Sequence, residues 1–543
     1  MDQNINKDEY FVRRFLCLGS KDNVYRSNAQ HSKFSRNDVP FIERLIADNV
    51  RGIEVLDCIK DVSVNNKACR QEPTMFAYAF CMVHGDDVVK NYGYKMLSNI
   101  CRIPTHLFQF QNYCEELNMQ KNNKSGWGRR HRMSISKWYN NFADKAPKLA
   151  YLVTKYKKRC KWNHRDIVRL AHVKPTNERI RTILKFIVNK EMDDVVTLHE
   201  SLDKDHKKVK LFLKAVIDAK ECDDKEQIMD IIADQELARE HVPNRFLSDK
   251  EVWGVLLRTM PLTAMIRNMG KMTKLGIFED EQASFYVNLV RQKMKSEALQ
   301  KSKIHPMKIL FALKQYNEGK GDQCRLDWRP NHAITTILEK AFEDSVRLQS
   351  RTGKRYLLAV SASGEMKKKL VGSPLTASEA AGAMVHTIVK QEDCVKTLLF
   401  KNNLERPYIS TIDPDDNLNS IKRKLELLSS SGGHQVTFST WARDNNDFDV
   451  IIIFTDTLKR EGDSRVAEPF DHFCQSHEVG APNHARVIIA MTGKPNDHVD
   501  AVEPCDVQTL NVIGFDPTTP QIINSFINGF NFDNVSMDGV EVY

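Results

Sequence analysis

No stretch of this chain approaches the ~18 consecutive apolar residues of a membrane span, so its 543 residues offer no candidate transmembrane helix. The opening "MDQNINKDEY" lacks both a basic start and an apolar run, and no secretory signal is expected. Cysteine pairs at redox or metal spacing are missing as well. The twelve cysteines are scattered, none forming C-x-x-C, which points to reduced thiols in the cytoplasm, with the nucleus as the other compartment. Catalytic signatures are equally scarce. There is no phosphate-binding Gly-rich loop ending in Lys-Ser/Thr, no H-E-x-x-H, no G-x-S-x-G and no G-x-G-x-x-G. "TGKR" (352–355) lacks the glycine spacing and the Ser or Thr of a phosphate loop. "DPDDN" (413–417) lacks the spacing of a calcium loop and reads as the solvated start of a helix. The chain is therefore expected to be a non-enzyme.

What is present is unevenly spread charge. The net charge is +9, with 28% charged and 41% hydrophobic residues, ordinary for a globular protein. Between Lys121 and Pro175, however, sixteen Lys or Arg stand against only Asp144 and Asp166. That local excess of +14 leaves the remainder at about −5. A basic block on a mildly acidic protein marks a local site for a polyanion.

Length alone favours more than one domain, and the patterning changes near residue 350. Before it, apolar residues recur at i, i+3 and i+4 in segments 37–49, 74–85, 148–159, 165–173, 177–190 and 251–260. The links between them are short and often near a proline (Pro104, Pro175, Pro261, Pro306). Short helix pairs in series predict an α-solenoid with degenerate repeats over 1–350. After it, strand-length apolar runs (356–360, 395–400, 450–454, 487–491, 510–513) alternate with helical stretches such as 376–390 and 416–428. That alternation predicts a largely parallel sheet covered on both faces over 351–543.

Within the basic block, Lys155 and Arg159 stand at i, i+4, the spacing of one helical face, with Lys158 beside them. Asn163 is an N-cap candidate with Asp166 at N3. Arg165, Arg169 and His172 then share a face, Ile167, Val168, Leu170 and Ala171 form the buried side, and Pro175 ends the helix. Upstream, Arg129, Arg130 and Arg132 are interleaved with Trp127, Trp138 and Tyr139 in a stretch whose Gly126 and Gly128 predict a mobile loop. Cations neutralise phosphates, and aromatic rings stack on unpaired bases. One stripe by itself reads as a solvated helix face. Two stripes and a basic aromatic loop favour nucleic acid. A membrane surface would need an exposed apolar face, and these apolar faces are expected to be committed to packing.

The stretches "RFLCLGS" (14–20), "CRIPTHLF" (101–108), "VTKYKKR" (153–159), "AHVKP" (171–175), "MPLTAMIRNMGKMT" (260–273), "KIHPMKILFAL" (303–313), "WRP" (328–330) and "TGKRYLLAV" (352–360) together resemble the TROVE-module family of Ro ribonucleoprotein autoantigens. The resemblance implies a ring of HEAT-like helical repeats closed by a von Willebrand A-like domain. It implies Y RNA on the outer basic surface, and misfolded noncoding RNA whose single-stranded end enters the central hole. The implied role is RNA quality control and stabilisation of small RNAs. The family's Y RNA positions fall on Lys155, Arg159 and His172, which the charge pattern also singles out.

In a von Willebrand A-like domain, D-x-S-x-S after the first strand holds a metal, helped by a threonine loop and a later aspartate. Aligned without gaps, Ser361 replaces the aspartate, Ser363 is the first serine and Glu365 replaces the second. A gapped alignment makes Ser361 and Ser363 the two serines and loses the aspartate. The threonine loop corresponds to 430–436, with His434 in place of threonine, and Asp456 is kept. The expectation is a strand-to-helix loop with capping serines and no required cofactor. A weak, degenerate site for Mg2+ or another divalent cation is the alternative. The chain is thus expected to be a monomeric RNA-binding protein without membrane partners, its A-like domain available to protein partners. The competing expectation is a protein-interaction scaffold whose basic surface is not RNA-specific.

Overall fold

The computed structural model describes residues 2–527 with Asn528, apart from 21, 28–33, 66, 123–126, 189–196, 198–202, 280, 322–325, 402–404, 411, 414, 428–435, 445–446, 459–484 and 495–508. Up to Arg347, helices follow one another along the chain. Asn49–Val64 packs on Asp87–Ile100, Glu72–His84 on Pro104–Asn122, and Asp87–Ile100 on Arg129–Asn140. The same stepwise contact continues from Arg129–Asn140 to His164–Ala171, and from Ala146–Lys155 to Lys204–Glu221. Each helix buries its apolar stripe on a near neighbour in sequence, as a solenoid requires. Several starts are capped by aspartate: Asp48, Asp86, Asp203, Asp224 and Asp249 each accept from backbone N–H groups of the first turn.

Beyond the array the chain alternates strands and helices, as the patterning predicted. Numbered in chain order, the strands are β1 (Val24–Arg26), β2 (Lys158–Arg159), β3 (Trp162–Asn163), β4 (Tyr356–Ser361), β5 (Val395–Phe400), β6 (Tyr408–Ser410), β7 (Val450–Thr455), β8 (Ala485–Ala490) and β9 (Thr509–Ile513). Among the described residues seven form one sheet in the order β1-β9-β8-β7-β4-β5-β6, parallel except for β6. Alternate residues of β4 enter different cores, as strand geometry dictates. Tyr356, Leu358 and Val360 join a core shared with the second half of the helical array. Leu357 and Ala359 face a smaller core with Phe400, Phe438 and Ile453.

The sheet is not built by the C-terminal residues alone. Its outermost strand, β1, comes from the start of the chain, Val24, Tyr25 and Arg26 lying opposite Asn511, Val512 and Ile513. Nearby, Tyr25 Oη donates to buried Asp516 at 3.1 Å, Arg70 stands 3.4 Å from the same carboxylate, and Asp516 Oδ1 accepts from the N–H groups of Thr518 and Thr519. Helix Asp2–Leu18 also packs on the last helix, Thr519–Ile527. The start of the chain and the end of the helical array are thus both fastened to the α/β part, helix Pro306–Glu318 meeting it through Lys308 with Gln521 and Phe311 with Phe515. From the same helix, Lys314 reaches Glu379 at 3.0 Å. Among the described residues no helix is long and apolar enough to cross a membrane.

Candidate nucleic-acid interface

The basic block folds differently from the two helical stripes that its spacing predicted. Helix Ala146–Lys155 ends at Lys155, four residues earlier than expected, with Tyr156 as its C-cap. Lys158 and Arg159 then form one arm of a hairpin, paired with Asn163 and Trp162. The two turn residues, Cys160 and Lys161, have φ of 49° and 68°, the left-handed pair that a tight hairpin turn requires. Lys155 and Arg159 therefore do not share a helical face. One sits on a helix end and the other on an adjacent ribbon.

Both are anchored by neutral histidines. His241, buried and among lysines, accepts from Ala238 N at 3.1 Å and is hydrogen-bonded to Thr154 Oγ1 at 3.0 Å, just before the helix end. Burial first, then the charges of Lys157, Lys155 and Lys220, push its pKa down to about 4. His164, under the start of the next helix, lies 2.8 Å from Tyr139 Oη and is held at about 3 by burial. Lys155 places its amine 3.0 Å from Tyr151 Oη, with the Tyr151 and Tyr156 ring centroids at 5.1 and 5.7 Å. Burial works against its charge, but the two tyrosines and Glu240 more than compensate, and its pKa is raised. Lys157 donates to the Glu240 carbonyl at 3.2 Å. Lys157 and Lys220 belong to the same cationic cluster. Sequence reasoning passed over both, and for Lys220 no local signal existed.

The following helix, His164–Ala171, starts as expected. Asn163 Oδ1 accepts from Asp166 N at 3.0 Å, and its amide donates to the Asp166 carboxylate at 2.6 Å. Arg165 and Arg169 project from it, exposed. His172 lies just past it as a left-handed C-cap (φ 49°, ψ 50°), so the stripe continues by a turn rather than by a third helical position, and the helix ends well before Pro175. Ile167, Val168 and Ala171 are buried as expected, but Leu170 is exposed. Lys158, Arg159, Arg165, Arg169 and His172 thus stand exposed on one hairpin–helix unit. The nearest carboxylate to Arg159 is Glu72, at 3.9 Å.

Upstream, the expected mobile loop is largely helix from Arg129 to Asn140. Its spacing places Trp138 and Tyr139 in the core, fully buried, where they cannot stack on a ligand. Trp138 Nε1 donates to the Cys101 carbonyl at 2.6 Å. Trp127 is half-exposed and packs on Trp162 at 5.6 Å and on His131 at 5.1 Å. Arg129 and Arg130 are exposed and Arg132 is partly so, with Arg130 paired to Asp87 at 3.0 Å. Gly126 lies outside the described residues.

The Ser-x-Ser loop fits a resident Mg2+ poorly. Ser361 is buried and its Oγ accepts from Ser363 N at 3.3 Å. Ser363 stands at the N-cap of the short helix Gly364–Lys367 but makes no capping bond, so the expected capping is positional. Asp456 is buried, with Thr455 Oγ1 at 3.3 Å. Glu365, the only replacement carboxylate, pairs outward with Lys368. His434 lies outside the described residues. Among the described residues the loop keeps one carboxylate, Asp456, and a serine, Ser361, stands where the leading carboxylate would be, so the anionic ligand a hard dication prefers is missing there.

A helical array joined to a largely parallel α/β sheet, with a cationic hairpin on the array, defines the class: a solenoid-plus-sheet protein with a surface suited to a polyanion. The chain belongs to the TROVE family: the family described as TROVE domain matches residues 4–320, and that described as Ro60 vWA domain matches 355–527. It is 30% identical to a Caenorhabditis elegans protein named RNA-binding protein RO60, covering 96% of this chain and 88% of that one. It is 25% identical to a Deinococcus radiodurans protein of the same name, covering 96% and 93%. The crystal structure of Deinococcus radiodurans RO (RSR) protein superposes with a TM-score of 0.80 at 24% identity, covering 96% of this chain and 99% of that one.

Proposed function

We propose that this protein binds structured small noncoding RNAs of the Y RNA type through the hairpin–helix unit, and misfolded noncoding RNAs with single-stranded ends. Its role is RNA quality control and small-RNA stabilisation in the cytoplasm, with a nuclear pool. The observation that carries this reading is the exposed set Lys158, Arg159, Arg165, Arg169 and His172 on one hairpin–helix unit, beside Lys155. Phosphates bind such a surface by charge and counterion release. The names of the relatives support RNA as the polyanion.

The protein binds rather than transforms its ligand. His131, His164 and His241, buried beside the cationic surface, are hydrogen-bonded into the framework and held neutral. It works as a monomer without a required metal. The helical residues, about 1–350, carry the RNA, and the α/β residues, about 351–543, receive protein partners. Replacing Lys155, Arg159 and His172 together by alanine is expected to weaken binding of a structured small RNA about tenfold or more and to flatten the salt dependence by about two to three units. A filter-binding series across salt checks this. Unchanged affinity in a folded triple variant sinks the reading, and protein isolated from cells without RNA above background favours the scaffold instead.

A further inference from the structure

Beyond Trp127 lies a cleft of about 350 Å³ formed by helices Glu72–His84, Asp87–Ile100, Pro104–Asn122 and Arg129–Asn140, the size of a small-ligand site. Lys90, Lys121, Arg129 and Arg130 line it against the carboxylates of Asp87 and Glu115. Asp87 is already engaged by Arg130, so the cations outnumber the acids left to face them. Lys121 gives one hydrogen bond to the Val83 carbonyl, at 3.0 Å, of the three an ammonium offers. Burial and then the charge of Lys121 hold Lys90 below the ordinary lysine range, with Arg130 adding to the repulsion. His84 nearby is pushed to about 4 by burial, Lys121 and Arg36. The cleft is thus a pocket of crowded positive charge.

Two further features favour a phosphate. The twelve-residue helix beginning at Arg129 has no side-chain cap, and Gly128, Arg129 and Arg130 of its first turn line the cleft. Its free N–H groups and positive dipole end add to the cations. The rest of the lining is uncharged and includes aromatic rings. Tyr94, Trp127 and His131 line the cleft. His131 lies 2.7 Å from Gln111 Oε1 and 3.4 Å from Tyr94 Oη, and burial holds its pKa near 4. Trp127 also touches Trp162 of the hairpin, so one wall of the cleft borders the cationic unit.

We infer that this cleft seats one unpaired nucleotide of a bound RNA strand, its phosphate on Lys90, Lys121 and the start of the Arg129 helix and its base against Trp127 and Tyr94. The inference rests on the RNA-binding reading and adds a nucleotide-sized subsite to it. A duplex cannot enter a space this small, so the subsite selects single-stranded segments.

The test uses the full chain and a labelled single-stranded oligoribonucleotide, read by fluorescence anisotropy across a salt series. Lys90→Gln/Arg129→Gln is expected to weaken binding about tenfold and to reduce the salt slope by about one unit. A pair of exposed lysines elsewhere on the array, Lys301→Gln/Lys303→Gln, is expected to change it less than about twofold. Uridine monophosphate should compete for the wild-type cleft and uridine should not. Equal losses in the two double variants overturn the inference, as does inorganic phosphate competing as well as the nucleotide. Wild-type binding with no loss in a folded Lys90→Gln/Arg129→Gln overturns the cleft and leaves the RNA reading standing. A wild-type protein that binds no RNA overturns both. Should the double variant fail to fold, the wild-type competition by monophosphate against nucleoside decides.

Discussion

Replacing Glu379 by glutamine tests how the helical array is fastened to the α/β sheet. Glu379 sits at the third position of helix Ala377–Gln391, where its carboxylate accepts from Thr376 N at 3.1 Å while Thr376 Oγ1 accepts from Glu379 N at 3.2 Å. The same carboxylate meets Lys314 of the array at 3.0 Å and Lys422 at 3.2 Å. Its side chain is only 16% exposed. Burial works against the charge, but the Thr376 backbone and the two lysines prevail and hold the carboxyl at about 2, against an ordinary 4.5. A group depressed on folding stabilises the folded state above its unfolded pKa and loses that contribution as pH falls through its folded value. At 1.36 kcal/mol per pH unit the full effect is roughly 3 kcal/mol, and solvent screening at a partly exposed site brings it to about 2 kcal/mol. Glutamine keeps the cap geometry and removes the charge. The variant is expected to melt about 1–3 °C below wild type at pH 7, and the gap should close between about pH 5 and pH 2. Thermal melts at several pH values check this, with Lys314→Gln completing a double-mutant cycle. A gap that persists unchanged at pH 3 would refute the electrostatic account of this junction.

The contact made by the start of the chain should behave as a buried network: Asp516→Ala leaves Tyr25 and Arg70 without their shared carboxylate, costing about 3–5 kcal/mol. Amide exchange should accelerate at Val24–Arg26 and Thr509–Ile513, and retained protection there would contradict the latch. Gly270→Ala places a Cβ 2.6 Å from the Trp328 ring, whose Nε1 is tied to the Tyr316 carbonyl. The overpacking is expected to cost about 1–3 kcal/mol by chemical denaturation, and a neutral result would show that the ring moves freely. Lys161→Gly removes a side chain from a left-handed turn position and should stabilise the hairpin by about 1 kcal/mol, seen as slower amide exchange over 158–163; faster exchange would exclude that turn. Millimolar Mg2+ should leave the melting temperature unchanged, whereas a clear upward shift would restore a metal to the Ser-x-Ser loop.

Much of this architecture was legible because periodicity is local. The strands at 356–361, 395–400, 450–455, 485–490 and 509–513 lie where the apolar runs stood, and helix Ala377–Gln391 falls almost on its predicted bounds. The three-residue β1 was not legible. It is too short to carry a pattern and exists because the Thr509–Ile513 edge, nearly five hundred residues away, offers a partner. The hairpin at 158–163 was missed for a related reason. Its turn takes left-handed backbone at Cys160 and Lys161, where glycine or asparagine usually announces such a turn, so "KYKKRCKW" reads as one continuing helix. Composition could not separate Trp138 and Tyr139, which are core, from Trp127, which is half-exposed. That distinction depends on where helix Arg129–Asn140 begins.

The right residues on the wrong element still matter for recognition. A helical stripe would place Lys155 and Arg159 one turn apart on a single straight row. The observed arrangement sets Lys155 at a helix end between two tyrosine rings and Arg159 on a ribbon beyond it, with Arg165 and Arg169 rising from the next helix. Three elements of different direction then present charge, which suits an irregular, folded backbone better than a straight one. Two neutral, hydrogen-bonded side chains lie beneath them: His241 under the helix end and His164 at the hairpin–helix joint. Because burial keeps these histidines uncharged far below neutrality, the spacing of the surface cations is held across the physiological pH range. Salt should therefore govern how tightly the lysines and arginines of this surface hold a ligand.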